Sequence, residues 1–185
     1  MPLSHPTIVG SPTAPQVWSA RWIDEEATQA FAAQLAQSLT SWPGGRDACI
    51  ELRGDLGAGK TTLVRHLLRA AGVQGRIKSP TYAVVEPHQA GSGEAAWPIW
   101  HFDFYRFSDP REWEDAGFRD IFAGPGLKLM EWPDKVAGQL PAADWVIRLD
   151  ALDEDQRDVQ ITAQTERGRQ WLTDWQHRQE HSGAD

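Results

Sequence analysis

Between Val17 and Trp171 the chain alternates short apolar runs with stretches of helical period, and turn residues mark the changes. Val17 to Ile23 predicts a strand. Asp24 follows as a helix N-cap, with Glu25 and Glu26 in the first turn, where acid suits the positive end of a helix. Ala27, Ala30, Phe31, Leu35 and Leu39 then recur at helical spacing, so one face packs inward. The loop Ser41–Asp47 leads to a strand over Ala48–Arg53. A glycine-rich stretch then opens a second helix, Lys60–Ala71, closed by Gly72. Strand, glycine-rich loop and helix in that order begin an α/β layer.

In the second half, Thr81–His88 predicts a core strand and Gln89–Ala96 an exposed, turn-rich insertion. Trp97–Phe104 is a strand with Pro98 near its start, where a missing N–H does least harm. Asp109-Pro110-Arg111-Glu112 carries a cap, a proline in the first helical position and an acid in the third. Leu127–Met130 is a short strand ending on Glu131. Trp145–Leu149 and Asp158–Thr165 flank the acidic turn Ala151–Gln156 as a hairpin, and Glu166–His177 forms a closing helix. Residues 1–16, rich in Pro, Ser and Thr, read as a disordered tail, 17–177 as one domain and 178–185 as a frayed end.

Composition narrows the picture. A length of 185 residues with 41% apolar and 24% charged residues suits one globular domain with a substantial core. Against 26 acids the chain has 18 Lys and Arg, a formal charge of −8, which argues against direct binding of nucleic acid or an anionic membrane. One cysteine, Cys49, excludes a disulfide framework and a cysteine zinc cluster. No apolar run approaches the roughly 18 residues of a membrane span, so a cytoplasmic protein is expected. Ten Trp against two Tyr is an apolar payload for core and clefts, with room for one indole stacked on a base.

The chemistry lies in Gly54-Asp55-Leu56-Gly57-Ala58-Gly59-Lys60-Thr61, which fits G-x-x-x-x-G-K-[ST], the P-loop. Its backbone N–H groups can wrap phosphate oxygens, and the helix starting at Lys60 aims its positive end at them. Lys60 is placed to reach the β- and γ-phosphates and the Thr61 hydroxyl to ligate Mg²⁺. A carboxylate at a neighbouring strand end completes such a site, and Asp103 and Glu131 are the two candidates. The competing role for each is a cap or a salt bridge. His101 and Asp103 have the spacing of metal ligands, but a hydrogen-bonded core histidine is the stronger reading. Arg106 is either an arginine finger in cis or an ordinary salt bridge, and Lys78-Ser79-Pro80-Thr81 either a γ-phosphate sensor or a proline turn.

Together GDLGAGKTT (Gly54–Thr62), KSPTY (Lys78–Tyr82), HFDFYR (His101–Arg106) and MEWP (Met130–Pro133) resemble the TsaE family of P-loop ATPases. These proteins are required for making threonylcarbamoyladenosine in tRNA. DEEAT (Asp24–Thr28) and DPREWEDAGFRD (Asp109–Asp120) also look like family segments. The resemblance implies a single α/β P-loop NTPase domain with a mixed, mainly parallel sheet flanked by helices. It implies ATP or ADP on Gly57, Ala58, Gly59, Lys60, Thr61 and Thr62, Mg²⁺ through Thr61 and Glu131, and Asp103 as a second acid. Glu25 becomes a nucleotide contact, Trp132 a tryptophan close to the site, and Ser79, Pro80 and Thr81 a switch. The implied partners are TsaD and TsaB, with tRNA met only indirectly.

Two other functions compete. A small-molecule kinase needs an Arg-rich acceptor lid, and Gly117–Leu140 offers only Arg119, Lys128 and Lys135. A nucleotide-dependent binding module without catalysis would not need both Asp103 and Glu131.

Overall fold

A computed structural model describes residues 15–78, 80, 82–109, 112–115 and 117–182. Ser79 and Thr81 of the expected switch, and residues 1–14 of the expected tail, lie outside them.

The elements run β1 (Val17–Trp22), α1 (Glu25–Ser41), β2 (Cys49–Arg53), α2 (Lys60–Ala70), β3 (Val85–Ala90), β4 (Trp97–Asp103) and α3 (Glu112–Asp115). They continue with α4 (Phe118–Ala123), β5 (Leu127–Glu131), β6 (Trp145–Ala151), β7 (Arg157–Ala163) and α5 (Glu166–Ser182). Asp24 caps α1 as its sequence predicts, its carboxylate accepting from Ala27 N–H at 2.8 Å.

The sheet has seven strands in the order β1-β7-β6-β2-β5-β4-β3. Strands β6, β2, β5 and β4 run parallel, with antiparallel β3 at one edge, and at the other β7, antiparallel to both β6 and the edge strand β1. The fold is therefore the mixed α/β sheet flanked by helices, with the C-terminal hairpin and helix.

Alternation along the strands divides the core in two. Ile50, Leu52, Ile99, Leu129 and Ile147 face α1, α2 and α5, where they meet Phe31, Leu35, Leu63, Leu67 and Trp171. Phe102 and Met130, paired in register, face the other way into a second cluster with Phe104, Phe107, Trp113 and Phe118. Trp22, Trp97, Trp113, Trp145, Trp171 and Trp175 are buried, and Trp145 stacks on Trp171 with ring centroids 3.7 Å apart. No helix among the described residues is long and apolar enough to cross a membrane.

Several boundaries differ from the sequence reading, most by one or two residues. Strand β3 starts at Val85, because Val84 turns the chain with φ 65° and donates its N–H to the Pro80 carbonyl at 2.6 Å. Its far end runs on to buried Ala90, which shortens the expected insertion to the turn after it. Helix α5 continues to Ser182, past the expected end at His177. Gln16, assigned to the tail, is tied down: its carbonyl accepts from Ala163 N–H at 3.1 Å, and its side-chain amide lies 3.0 Å from Thr173 Oγ1.

Candidate nucleotide and metal site

Strand β2 delivers the glycine-rich loop to the C-terminal edge of the parallel strands, where ligands meet open α/β sheets. Gly54 leaves the strand at φ +141°, and a Cβ there would lie 2.2 Å from the Leu149 carbonyl oxygen, so only glycine lets the loop pass this close to β6. Gly59 opens α2 at φ +101° without a side-chain cap. With no side-chain hydrogen bond capping it among the described residues, the start of α2 offers its first N–H groups to an anion.

Lys60 and Thr61 follow on the first turn. Lys60 is 4% exposed, and its ammonium donates to the carbonyls of Gly54 at 2.7 Å and Asp55 at 2.8 Å. The same nitrogen sits 4.1 Å from the centre of the Trp132 ring, a cation–π contact. Burial lowers the Lys60 pKa, against the pull of Glu131, Asp103 and Asp55. Thr61 Oγ1 donates to Glu131 Oε2 at 2.9 Å.

The two strand-end acids come together. Asp103 on β4 and Glu131 on β5 are partners in the parallel register, and both are buried. Asp103 Oδ1 accepts from Tyr105 N–H at 3.0 Å, while Asp103 N–H donates to the Val84 carbonyl at 2.9 Å. His101, two residues before Asp103, directs Nε2 to Glu131 Oε1 at 2.8 Å. Lys60, Thr61, Asp103, Glu131 and Trp132 line one cleft of about 280 Å³ with the loop glycines Gly57 and Gly59. Val84 and Trp132 are the non-glycine residues with positive φ among those described, at 65° and 57°, and both adjoin the carboxylates. Such strain collects where a site dictates the backbone.

A second cleft, about 110 Å³, lies on the other flank of the loop, between Glu25 and Thr28 of α1, Ala58, Thr62 and Arg157. Glu25 joins the loop here, though its carboxylate is mostly exposed and contacts His66 Nε2 at 2.8 Å. Arg157 is a residue the sequence reading missed. Its Nε donates to the Ala58 carbonyl at 3.0 Å, and its other nitrogens hold the carbonyls of Asp153, Glu154 and Gln156. The only local signal was an arginine just after an acidic turn, and the contact spans 99 residues of sequence. Of the expected switch, Pro80 is buried. Arg106, open between two roles, lies over the exposed ring of Tyr82 at 4.2 Å.

A lysine and a threonine on the first turn after a glycine loop, set against two strand-end carboxylates, define a P-loop nucleotide-binding protein of the α/β class. Comparison with known proteins narrows the class. A family model described as "Threonylcarbamoyl adenosine biosynthesis protein TsaE" matches residues 22–159, and the chain belongs to the TsaE family. It is 41% identical over 146 residues to the tRNA threonylcarbamoyladenosine biosynthesis protein TsaE of Haemophilus influenzae, covering 79% of this chain and 89% of that one. The protein of the same name from Bacillus subtilis is 33% identical over 143 residues, 77% of this chain and 84% of its own. The crystal structure of Bacillus subtilis YdiB superposes with a TM-score of 0.69 at 26% identity, over 90% of this chain and 99% of that chain.

Proposed function

We propose that this protein is a cytoplasmic, Mg²⁺-dependent ATPase of tRNA threonylcarbamoyladenosine biosynthesis, which binds and hydrolyses ATP to drive or reset a TsaB–TsaD complex. The observation that carries the proposal is the register of Asp103 and Glu131, side by side, with Glu131 hydrogen-bonded to Thr61. Family membership and the relatives' names support the pathway, and the net charge of −8 supports a role reached through partner proteins.

The donor set suits Mg²⁺. Thr61 Oγ1 and Glu131 Oε2 are hard oxygen donors 2.9 Å apart, with the Asp103 carboxylate on the next strand to orient water. Mg²⁺ held by Thr61 and Glu131 would supply neutralising charge to the phosphates. In this reading Lys60 leaves the Gly54 and Asp55 carbonyls for the phosphates, and the first N–H groups of α2 hold them. Asp103 orients the attacking water, and burial of both acids keeps bulk solvent from the reacting centre. Glu25 and Arg157 flank the opening on the far side of the loop, where the nucleoside end of ATP would emerge.

A small-molecule kinase is the weaker reading, since α4 and Val136 pack into the second core and β5 is divided between the two cores, which uses much of Gly117–Leu140 for packing. The test is phosphate release from ATP by the full chain, alone and with TsaB and TsaD. Stimulation by the pair that vanishes in Thr61→Ala is expected. Phosphate transferred to a metabolite, or turnover indifferent to Thr61→Ala, would overturn the assignment.

A further inference from the structure

The imidazole of His101 is 0% exposed, and the mechanism above does not use it. It stands on β4 opposite Leu129, one diagonal step from Glu131, on the face that carries the site. Its Nε2 lies 2.8 Å from Glu131 Oε1, while Nδ1 is buried without a hydrogen-bond partner. A carboxylate accepts and cannot donate, so the proton of this bond belongs on Nε2. The ring therefore donates in one direction, to Glu131.

What this does to Glu131 follows from the carboxylate's two oxygens. Oε1 is taken by His101 and Oε2 by the Thr61 hydroxyl, with the carboxylate itself buried. Of these partners only the hydroxyl belongs to a side chain expected to ligate metal. The imidazole thus holds one oxygen in place and leaves the other aimed at Thr61. Without it, Oε1 would be a buried anionic oxygen with no donor, and the side chain would turn away to find one. His88 stacks on His101 with centroids 6.5 Å apart. Glu86 is opposite His101 in the β3–β4 register, but the ring's hydrogen bond goes to Glu131.

We propose that His101 is a positioning residue for Glu131, holding the carboxylate so that Oε2 and Thr61 Oγ1 form a ready-made oxygen pair for the divalent cation. The proposal rests on the reading of Thr61 and Glu131 as the metal-binding pair. Outer partners of this kind typically change metal affinity 10- to 100-fold, by order of magnitude.

The test measures the affinity of Mn²⁺ for the full chain bound to ADP, by electron paramagnetic resonance. His101→Phe keeps the ring volume and removes the donor, and a weakening of roughly 10- to 100-fold is expected. His101→Gln puts an N–H at about the reach of Nε2 and should recover most of the loss, which a purely space-filling role would not predict. Combining His101→Phe with Glu131→Gln should be no worse than Glu131→Gln alone, because the histidine acts only through that carboxylate. Mn²⁺ affinity unchanged in His101→Phe, a Gln variant as weak as the Phe variant, or additive losses would each overturn the proposal. If Glu131→Gln loses Mn²⁺ and His101→Phe keeps it, the metal site stands and only the positioning role falls. If the wild-type ADP complex takes up no Mn²⁺, both fall together. Nitrogen-correlated NMR of the wild-type imidazoles gives a check that needs no variant. A proton on His101 Nε2 is expected, and a bare Nε2 excludes the donated bond.

Discussion

The two edges of the parallel sheet each bury a carboxylate, and they treat it in opposite ways. At the N-terminal edge Asp144, just before β6, accepts from Cys49 N–H at 3.0 Å, Thr165 Oγ1 at 2.7 Å, Arg167 Nε at 3.0 Å and Arg167 Nη2. These donors join β2, β6 and the start of α5, and Gly168 packs so close that a Cβ would lie 2.1 Å from the Asp144 carbonyl oxygen. At the C-terminal edge Glu131 has a hydroxyl and an imidazole, and the lysine beside it is held by backbone carbonyls and an indole face. One carboxylate is saturated by fixed donors and staples the fold. The other keeps one oxygen on a fixed imidazole, while its second oxygen faces only a hydroxyl and the neighbouring lysine only carbonyls, partners that the proposed cation and phosphate would replace. Burial alone does not tell a structural acid from a functional one; the exchangeability of its partners does.

The contrast breaks most visibly when each edge loses its key group. Lys60→Ala should lower ATP turnover by at least about 10³-fold, roughly 4 kcal/mol of transition-state stabilisation, because among the described residues Lys60 is the cation that lines the cleft with Thr61 and Glu131. Thermal unfolding of that variant should stay within a few degrees of wild type. Steady-state kinetics and calorimetry on one preparation check both halves, and a large loss of Tm with turnover intact would reverse the assignment.

Asp144→Ala should do the opposite. Its removal orphans the Cys49 N–H and the Arg167 guanidinium, a loss on the order of 3 kcal/mol, or a Tm lower by roughly 6–12 °C for a chain of this size. Turnover per folded molecule at a temperature below the transition should be unchanged. Gly54→Ala should touch both properties, since its Cβ would strike the Leu149 carbonyl in the strand that the loop must pass. A cost of about 2 kcal/mol in stability is expected, along with weaker ADP binding by titration calorimetry.

What was legible in the sequence follows the same division. The loop Gly54–Thr61 and the strand ends Asp103 and Glu131 could be read because phosphate binding dictates glycines at fixed spacing and strands end where apolar runs end. The helix cap at Asp24 was equally local. What was missed depends on register and on distant contacts. That His101 meets Glu131 follows from the pairing of β4 with β5, which neither strand states alone. Arg157 acquires its role only when the last hairpin is laid against the loop. The late start of β3 has another cause: Val84, a β-branched residue that favours strand, is forced to positive φ beside Asp103. There the site overrides the propensity.

The smallest effect separates the edges by pH. Burial pushes the Asp144 carboxyl up, but hydrogen bonds from Arg167, Thr165 and Cys49 outweigh it and hold the pKa below the ordinary aspartate value of 3.8. A depressed pKa means that the folded state prefers the ionised form. The stability this gives is complete above the ordinary value and is lost as pH falls through the lowered one. The stability gap between wild type and Asp144→Asn should therefore stay constant from neutrality down to about pH 4 and close below it. Urea unfolding of both proteins across that range measures the gap. A gap that instead changes between pH 5 and 8 would mean that a group other than this carboxylate, such as a histidine, titrates with folding, and the N-terminal edge would no longer be the inert staple that the comparison makes it.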